Sequence, residues 1–169
     1  MSRYVYAFRL EHEGDDVFFR FPTLPEIISA VPKKAFDEMS SDVVARHAHD
    51  AVITALQAHI ATREEIPAGD DPKLRADGFV ILSVREGMKL ELYKVFRVNC
   101  RTVAEFAREI GKPETAARRL LELHHQSRSH EIEKAVEAFG KRLTATWSVE
   151  TVHRAPSRSS HSHTWSGSG

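Results

Sequence analysis

One cysteine, Cys100, stands in 169 residues. A single thiol excludes an internal disulfide and any zinc site built from several cysteines, and it fits a reducing compartment. No apolar run approaches the ~20 residues that cross a bilayer, so no membrane partner is expected. The opening "MSRYVYAFRL" lacks the pattern of a signal peptide and begins directly with alternating strand residues. A cytoplasmic location is the expectation. The sequence has no glycine-rich phosphate loop and no Ser/His/Asp arrangement, so no cofactor is expected. It also lacks net charge, with 24 Lys and Arg against 24 Asp and Glu.

That balance hides an asymmetry. Residues 1–85 carry 10 Lys/Arg against 14 Asp/Glu, whereas residues 86–142 carry 12 against 9. An acidic first half and a mildly basic second half suggest different partners for each.

Alternation marks the start of the chain. Tyr4, Tyr6, Phe8 and Leu10 share one face of a strand, with Val5, Ala7, Arg9 and Glu11 on the other. Turn residues His12–Asp16 lead to a second strand, Val17–Phe21, so the pair reads as an antiparallel hairpin. Pro22 and Pro25 break the chain, and Ile27–Val31 offers a short third strand. Residues 42–63 read as a long helix with Val44, Ala48, Ala51, Val52, Ala55, Leu56 and Ile60 as its apolar stripe. Arg46, His47, Asp50, Thr54 and Gln57 fall opposite, and Ser41 is the expected N-cap. A loop at Ile66–Gly78 then leads to "FVILSV", Phe79–Val84, dense enough to be expected inside the sheet. The order predicted is β-β-β-α-β.

Near Arg85–Gly87 the pattern turns helical, with helices predicted over Met88–Phe96, Val103–Ile110, Pro113–Leu123 and Glu131–Phe139. Leu143–Val149 alternates again and reads either as a dimer edge or as a strand covering its own core. The tail after Pro156 is of low complexity, and disorder is expected there. The fold class expected is α+β, with a sheet domain over 1–85, a helical domain over 86–150 and a tail over 151–169.

The stretch Thr102–His125 has strong local signals. Thr102-Val-Ala-Glu105 has the form of a capping box. Ala104, Ala107 and Ile110 then make a tight apolar face, with Phe106 beside it. Gly111 ends the helix, and Pro113 suits the first position of the next. Ala117, Leu120 and Leu121 face inward, leaving Glu114, Thr115, Arg118, Arg119 and Glu122 outside. This is either a helix-turn-helix or a helical hairpin with solvated arginines. In the first case Arg118 and Arg119 suit guanine edges or phosphate oxygens, Thr115 suits a base or a phosphate, and Lys112 at the turn suits a phosphate. Glu114, His125 and Arg128 complete the candidate DNA-binding set.

Metal and acid–base chemistry find little support. His47 with His49, and His124 with His125, lack ligand spacing on one helix face, and no metal site is expected. Glu11, Asp15 and Asp16 read as a solvated hairpin rather than a two-metal centre. Cys100 reads as an inert thiol and His59 as structural.

The order of pieces resembles the HicB-type antitoxins of bacterial type II toxin–antitoxin systems over about residues 3–149. "FPTLPE", Phe21–Glu26, is similar to the family's Phe-Pro-Asp-Leu-Pro signature. The helix and loop "DAVITALQAHIATREEIPAGD" are similar to its long helix with an Ile-Pro loop. "TVAEFAREIGKPETAARRLLELHHQSRSHEIEKAVEAFGKRL" is similar to its C-terminal helix-turn-helix. One departure is "IISAVPKKAFDEMSSDVV", longer than the family's short Gly-Asp-Thr turn and acidic helix start. The resemblance implies a partial RNase H-like N-terminal domain without nuclease activity that blocks a small HicA-type mRNA-cleaving toxin. It implies a C-terminal domain that represses the operon by binding operator DNA, in a dimer or tetramer. It assigns no toxin-contact residues. The competing function is a stand-alone helix-turn-helix regulator whose N-terminal domain senses a protein or a ligand.

Overall fold

The computed structural model describes residues 4–144. Beyond Thr144 the strand expected over Leu143–Val149 lies outside the described residues, as does the tail. The chain forms strands β1 (Val5–Glu13), β2 (Asp16–Arg20) and β3 (Ser29–Pro32), helices α1 (Lys33–Asp37) and α2 (Ser41–Thr62), and strand β4 (Gly78–Ile81). Helices α3 (Val84–Asn99), α4 (Val103–Glu109), α5 (Glu114–Leu121) and α6 (Ser129–Glu137) follow. The class is α+β: a four-stranded antiparallel sheet in the order β3-β2-β1-β4 with α2 against it, then a helical region.

The alternation in β1 works as read. Tyr6 and Phe8 point to the α2 side and are buried, beside Phe19 of β2 and Val80 of β4. Burying each large apolar side chain contributes roughly 1.5–3 kcal/mol. Tyr6 keeps its hydroxyl satisfied by donating to the Pro67 carbonyl at 3.0 Å. Burial, with Asp70 nearby, pushes that phenol well above its ordinary range. Phe8 lies across Gly78, where an added Cβ would come within 2.5 Å of its ring.

β1 is longer than either neighbour can cover. β2 pairs with its second half, Arg9–Glu13, and β4 with its first half, Val5–Phe8. Each neighbour leaves backbone groups of β1 open, and these need partners. Two aspartates of the α2–β4 connector supply them. On the side that β2 has left, the Asp70 amide donates to the Val5 carbonyl at 2.6 Å and its carboxylate accepts the Ala7 amide at 2.9 Å. On the side that β4 has not reached, the Asp77 amide donates to the Phe8 carbonyl at 3.0 Å and its carboxylate accepts the Leu10 amide at 2.8 Å.

The connector therefore crosses from one edge of β1 to the other. It does so over the face opposite α2, where Arg9 donates to the Arg75 carbonyl at 3.3 Å. Ala7, on that same face, is fully buried. The prolines of "FPTLPE" have a matching role. Pro22 ends the β2 pairing and turns the chain away, and Thr23 donates its hydroxyl to Asp70 in the vacated space. Phe21 and Leu24 drop into the core at the same turn.

Four expectations change. β4 is an edge strand, not an internal one: Val80 and Leu82 face the core, but Ile81 is 57% exposed. The longer segment after Ile27 adds the one-turn helix α1, and the third strand falls at Ser29–Pro32. α2 is capped by Ser40, whose side chain accepts the Val43 amide, rather than by Ser41. His47 and Gln57 are not on a solvent face: His47 packs on Phe19 with ring centroids 4.8 Å apart and bonds Ser29, and Gln57 bonds Leu123.

Asp70→Ala leaves the buried Ala7 amide without an acceptor, and the expected loss is about 1–3 kcal/mol in urea unfolding. Asp70→Asn, whose amide oxygen still accepts, is expected to recover most of it.

Candidate nucleic-acid interface

α3 starts four residues earlier than its apolar spacing suggests, because a capping box opens it. The Ser83 hydroxyl accepts the Glu86 amide at 3.3 Å, and the Glu86 carboxylate accepts the Ser83 amide at 2.7 Å. Burial alone would push the Glu86 carboxyl up, but the Ser83 bonds and His49 of α2, 3.1 Å away, outweigh it and hold the group below its ordinary value. The buried residues of the sheet, α2 and α3–α6 form one continuous cluster.

Arg63 ties the end of α2 to the end of α3. It takes a left-handed conformation, φ 60°, as the C-cap of α2. Its guanidinium donates to the carbonyls of Arg101 at 3.0 Å, Arg97 at 3.3 Å and Cys100 at 2.7 Å, and lies 4.6 Å from the Phe96 ring centre. A helix leaves its last carbonyls without intrahelical donors, and here one side chain serves three acceptors at that end. Cys100 is buried at the same place, and burial, aided by Glu105 and Glu109, pushes its thiol up.

α4 and α5 form the expected helical pair, with adjustments. Thr102 accepts the Glu105 amide at 3.1 Å, but Glu105 reaches the Arg101 amide at 2.7 Å rather than that of Thr102. The full capping box lies at Ser83 instead. Ala104 is exposed, and the buried face runs through Phe106 and Ala107 because the helix turns Phe106 onto Phe96 and Phe139. Gly111 has φ +65°, a conformation that glycine takes at little cost. Pro113 is the N-cap of α5 rather than its first helical residue, and α5 ends at Leu121.

On α5, Ala117, Leu120 and Leu121 are buried, and Glu114, Thr115, Arg118 and Arg119 lie together on the exposed side. Arg118 donates to Glu114 at 2.8 Å, an exposed pair of small energetic weight. The other candidate residues lie around this face. Lys112 is half-buried and donates to Glu131 of α6 at 3.4 Å. The His125 ring is turned toward Ser127, Nδ1 to Oγ 3.2 Å, and Arg128 is exposed just before α6. An open cleft of about 370 Å³ between the end of α2 and α5 brings Arg63, Arg101 and Arg118 to one rim.

Two residues absent from the sequence-derived site hold α5 in place. Gln57 of α2 accepts the Leu123 amide at 2.8 Å. Lys89 of α3, fully buried, donates to the carbonyls of Arg119 at 3.1 Å, His125 at 2.7 Å and Glu122. Helical spacing could have marked Lys89, which shares a stripe with Leu92, Tyr93 and Phe96, whereas nothing local marks Gln57 or Arg63. Among the described residues no group of three or more His, Cys, Asp or Glu side chains is placed to hold a metal, and no helix is long and apolar enough to cross a membrane.

The chain is similar to proteins called antitoxin HicB. It is 33% identical to the one from Escherichia coli (strain K12) over 97 residues, 57% of this chain and 70% of that protein. It is 26% identical over 138 residues to the one from Pseudomonas fluorescens (strain Pf0-1), covering 82% of this chain and 90% of that protein. Antitoxin HicB 2 of Photorhabdus laumondii is also 26% identical, over 82% of this chain and 92% of its own length. No family model matches the chain.

Arg63→Ala removes the donor to three carbonyls and keeps the strained φ, and a loss of about 1–3 kcal/mol is expected in denaturant unfolding. Arg63→Gly, which tolerates that φ, is expected to fall between Ala and wild type.

Proposed function

The chain belongs to the HicB antitoxin family, and from that premise we propose that it neutralises a small HicA-type mRNA-cleaving toxin and represses its own operon by binding operator DNA. The family is one of antitoxins rather than enzymes.

Residues 1–85 form the toxin-facing part. Their excess of acidic side chains suits a basic ribonuclease, and complementary charge speeds the encounter. Neutralisation is by occlusion: the sheet domain covers the toxin's catalytic or RNA-binding surface. Residues 86–150 form the operator-reading part, with α5 in the major groove. Arg118 and Arg119 suit guanine O6 and N7, Glu114 suits the cytosine amino group, and Thr115 suits a base or a phosphate. Lys112, His125 and Arg128 are assigned to the phosphate backbone, and such contacts set register and salt dependence. A dimer places two copies of α5 on a two-fold operator. The observation that carries the DNA reading is the shared exposed face of Glu114, Thr115, Arg118 and Arg119, following a turn at Gly111.

Co-expression with a small basic protein, should a neighbouring reading frame encode one, tests the antitoxin role. Rescue of growth and co-purification are expected; the absence of both would leave the stand-alone regulator as the reading. Arg118→Ala and Arg119→Ala are each expected to weaken operator binding by ~1–3 kcal/mol in a fluorescence titration, with toxin neutralisation intact. Wild-type affinity in both would move the reading face off α5.

A further inference from the structure

Lys89 is the one charged side chain in the buried set among the described residues. Its ammonium has three protons, and three carbonyls receive them: Arg119 in the last turn of α5, Glu122 at its C-cap, and His125 in the loop beyond. Ser127 adds a second donor to the Arg119 carbonyl at 3.3 Å. α5 has eight residues, too few to be held by its own hydrogen bonds. Arg119 joins the two roles: its carbonyl is clamped from below and its side chain is exposed above.

Resting on the reading of α5 as the operator-reading helix, we propose that Lys89 is the positioning residue of operator recognition: its ammonium holds the end of α5 in the orientation that presents Arg118 and Arg119, and the hold fails when the ammonium gives up its proton. The neutral amine keeps two N–H donors for three carbonyls, and its lone pair faces an acceptor. Two charged groups act on the site, Glu122 from the end of α5, which favours the ammonium, and Arg85 one turn earlier on α3, which opposes it. The His125 imidazole is turned to Ser127, α2 meets the exit of α5 through the uncharged Gln57 and meets α3 through His49 on Glu86, and α6 contributes Ile132, Ala135 and Val136 to the same core.

Burial dominates this balance and pulls the ammonium down to about 8, against about 10.4 in an unfolded chain. Two consequences have opposite sign. Operator binding selects the protonated clamp, so affinity falls as pH rises through the folded value. Between the two values the unfolded chain binds more protons than the fold, so stability rises with pH. A purely structural lysine would not make affinity and stability diverge.

The test is the affinity of the full-length chain for the promoter duplex upstream of its own coding sequence, at constant ionic strength, from about pH 7 to about pH 9, with Lys89→Met measured beside it so that every other titrating group is common to both. Expected is a fall of about tenfold, the size of one charge-assisted hydrogen bond, with urea stability undiminished in the same buffers. Lys89→Met is expected to bind weakly and without this pH dependence while still neutralising the toxin. A flat wild-type profile, or the same slope in Lys89→Met, overturns the clamp. If that variant does not fold, the wild-type profile is read beside the Cε signals of ¹³C-labelled lysine: one must titrate near about 8 together with the Arg119–His125 amides, and its absence overturns the clamp as well. No specific binding at any pH sinks the operator reading itself, whereas binding without pH dependence sinks this inference alone.

Discussion

Backbone groups at the ends and edges of secondary structure have to find partners, and in this protein charged side chains from other elements supply several of them. Asp70 and Asp77 close the half-open edges of β1. Arg63, at the end of α2, closes the carbonyls of α3. Lys89, on α3, closes the carbonyls of α5. These bonds form a sequence of supports running from the central strand to the exposed arginines, and each one orients the next element. Apolar burial supplies most of the driving force for the fold, but it is not directional; these bonds set angles.

The same supports link the two halves of the molecule. α2 covers the sheet, yet its Gln57 accepts the Leu123 amide just beyond α5, and Arg63 at its C-cap donates to the Arg97 carbonyl of α3. Tyr93 of α3 donates its hydroxyl back to the carbonyls of His59 and Glu64 at the end of α2. A displacement of α2 would therefore be felt by the helix that carries Arg118 and Arg119. Under the proposed function, this is a physical connection through which binding at one part would alter the other, and any such coupling acts equally in both directions.

Much of the fold was legible. The β1–β2 hairpin, the long α2 and the α4–α5 pair follow from spacing and turn residues, because in each the partner of a residue lies within one or two turns of chain. The outer face of α5 was legible for the same reason: 3.6-residue periodicity separates Glu114, Thr115, Arg118 and Arg119 from Ala117, Leu120 and Leu121. β4 was misplaced as an internal strand. Val80 and Leu82 face the core while Ile81 is exposed, and a run of apolar residues does not tell those environments apart. The α3 start was missed because Ser83–Glu86 precedes the apolar stripe.

Local sequence thus determined which segments are helix or strand, which face of each is apolar, and, through its likeness to a known family, the kind of protein it is. Only the tertiary structure decided what the isolated charges are for. Asp70, Arg63 and Lys89 act on backbone groups 63, 34 to 38 and 30 to 36 residues away. A carbonyl at a helix end is the same group in every sequence, so no residue type announces which one will be left open. The packing of the elements exposes that need, and the nearest long charged side chain meets it.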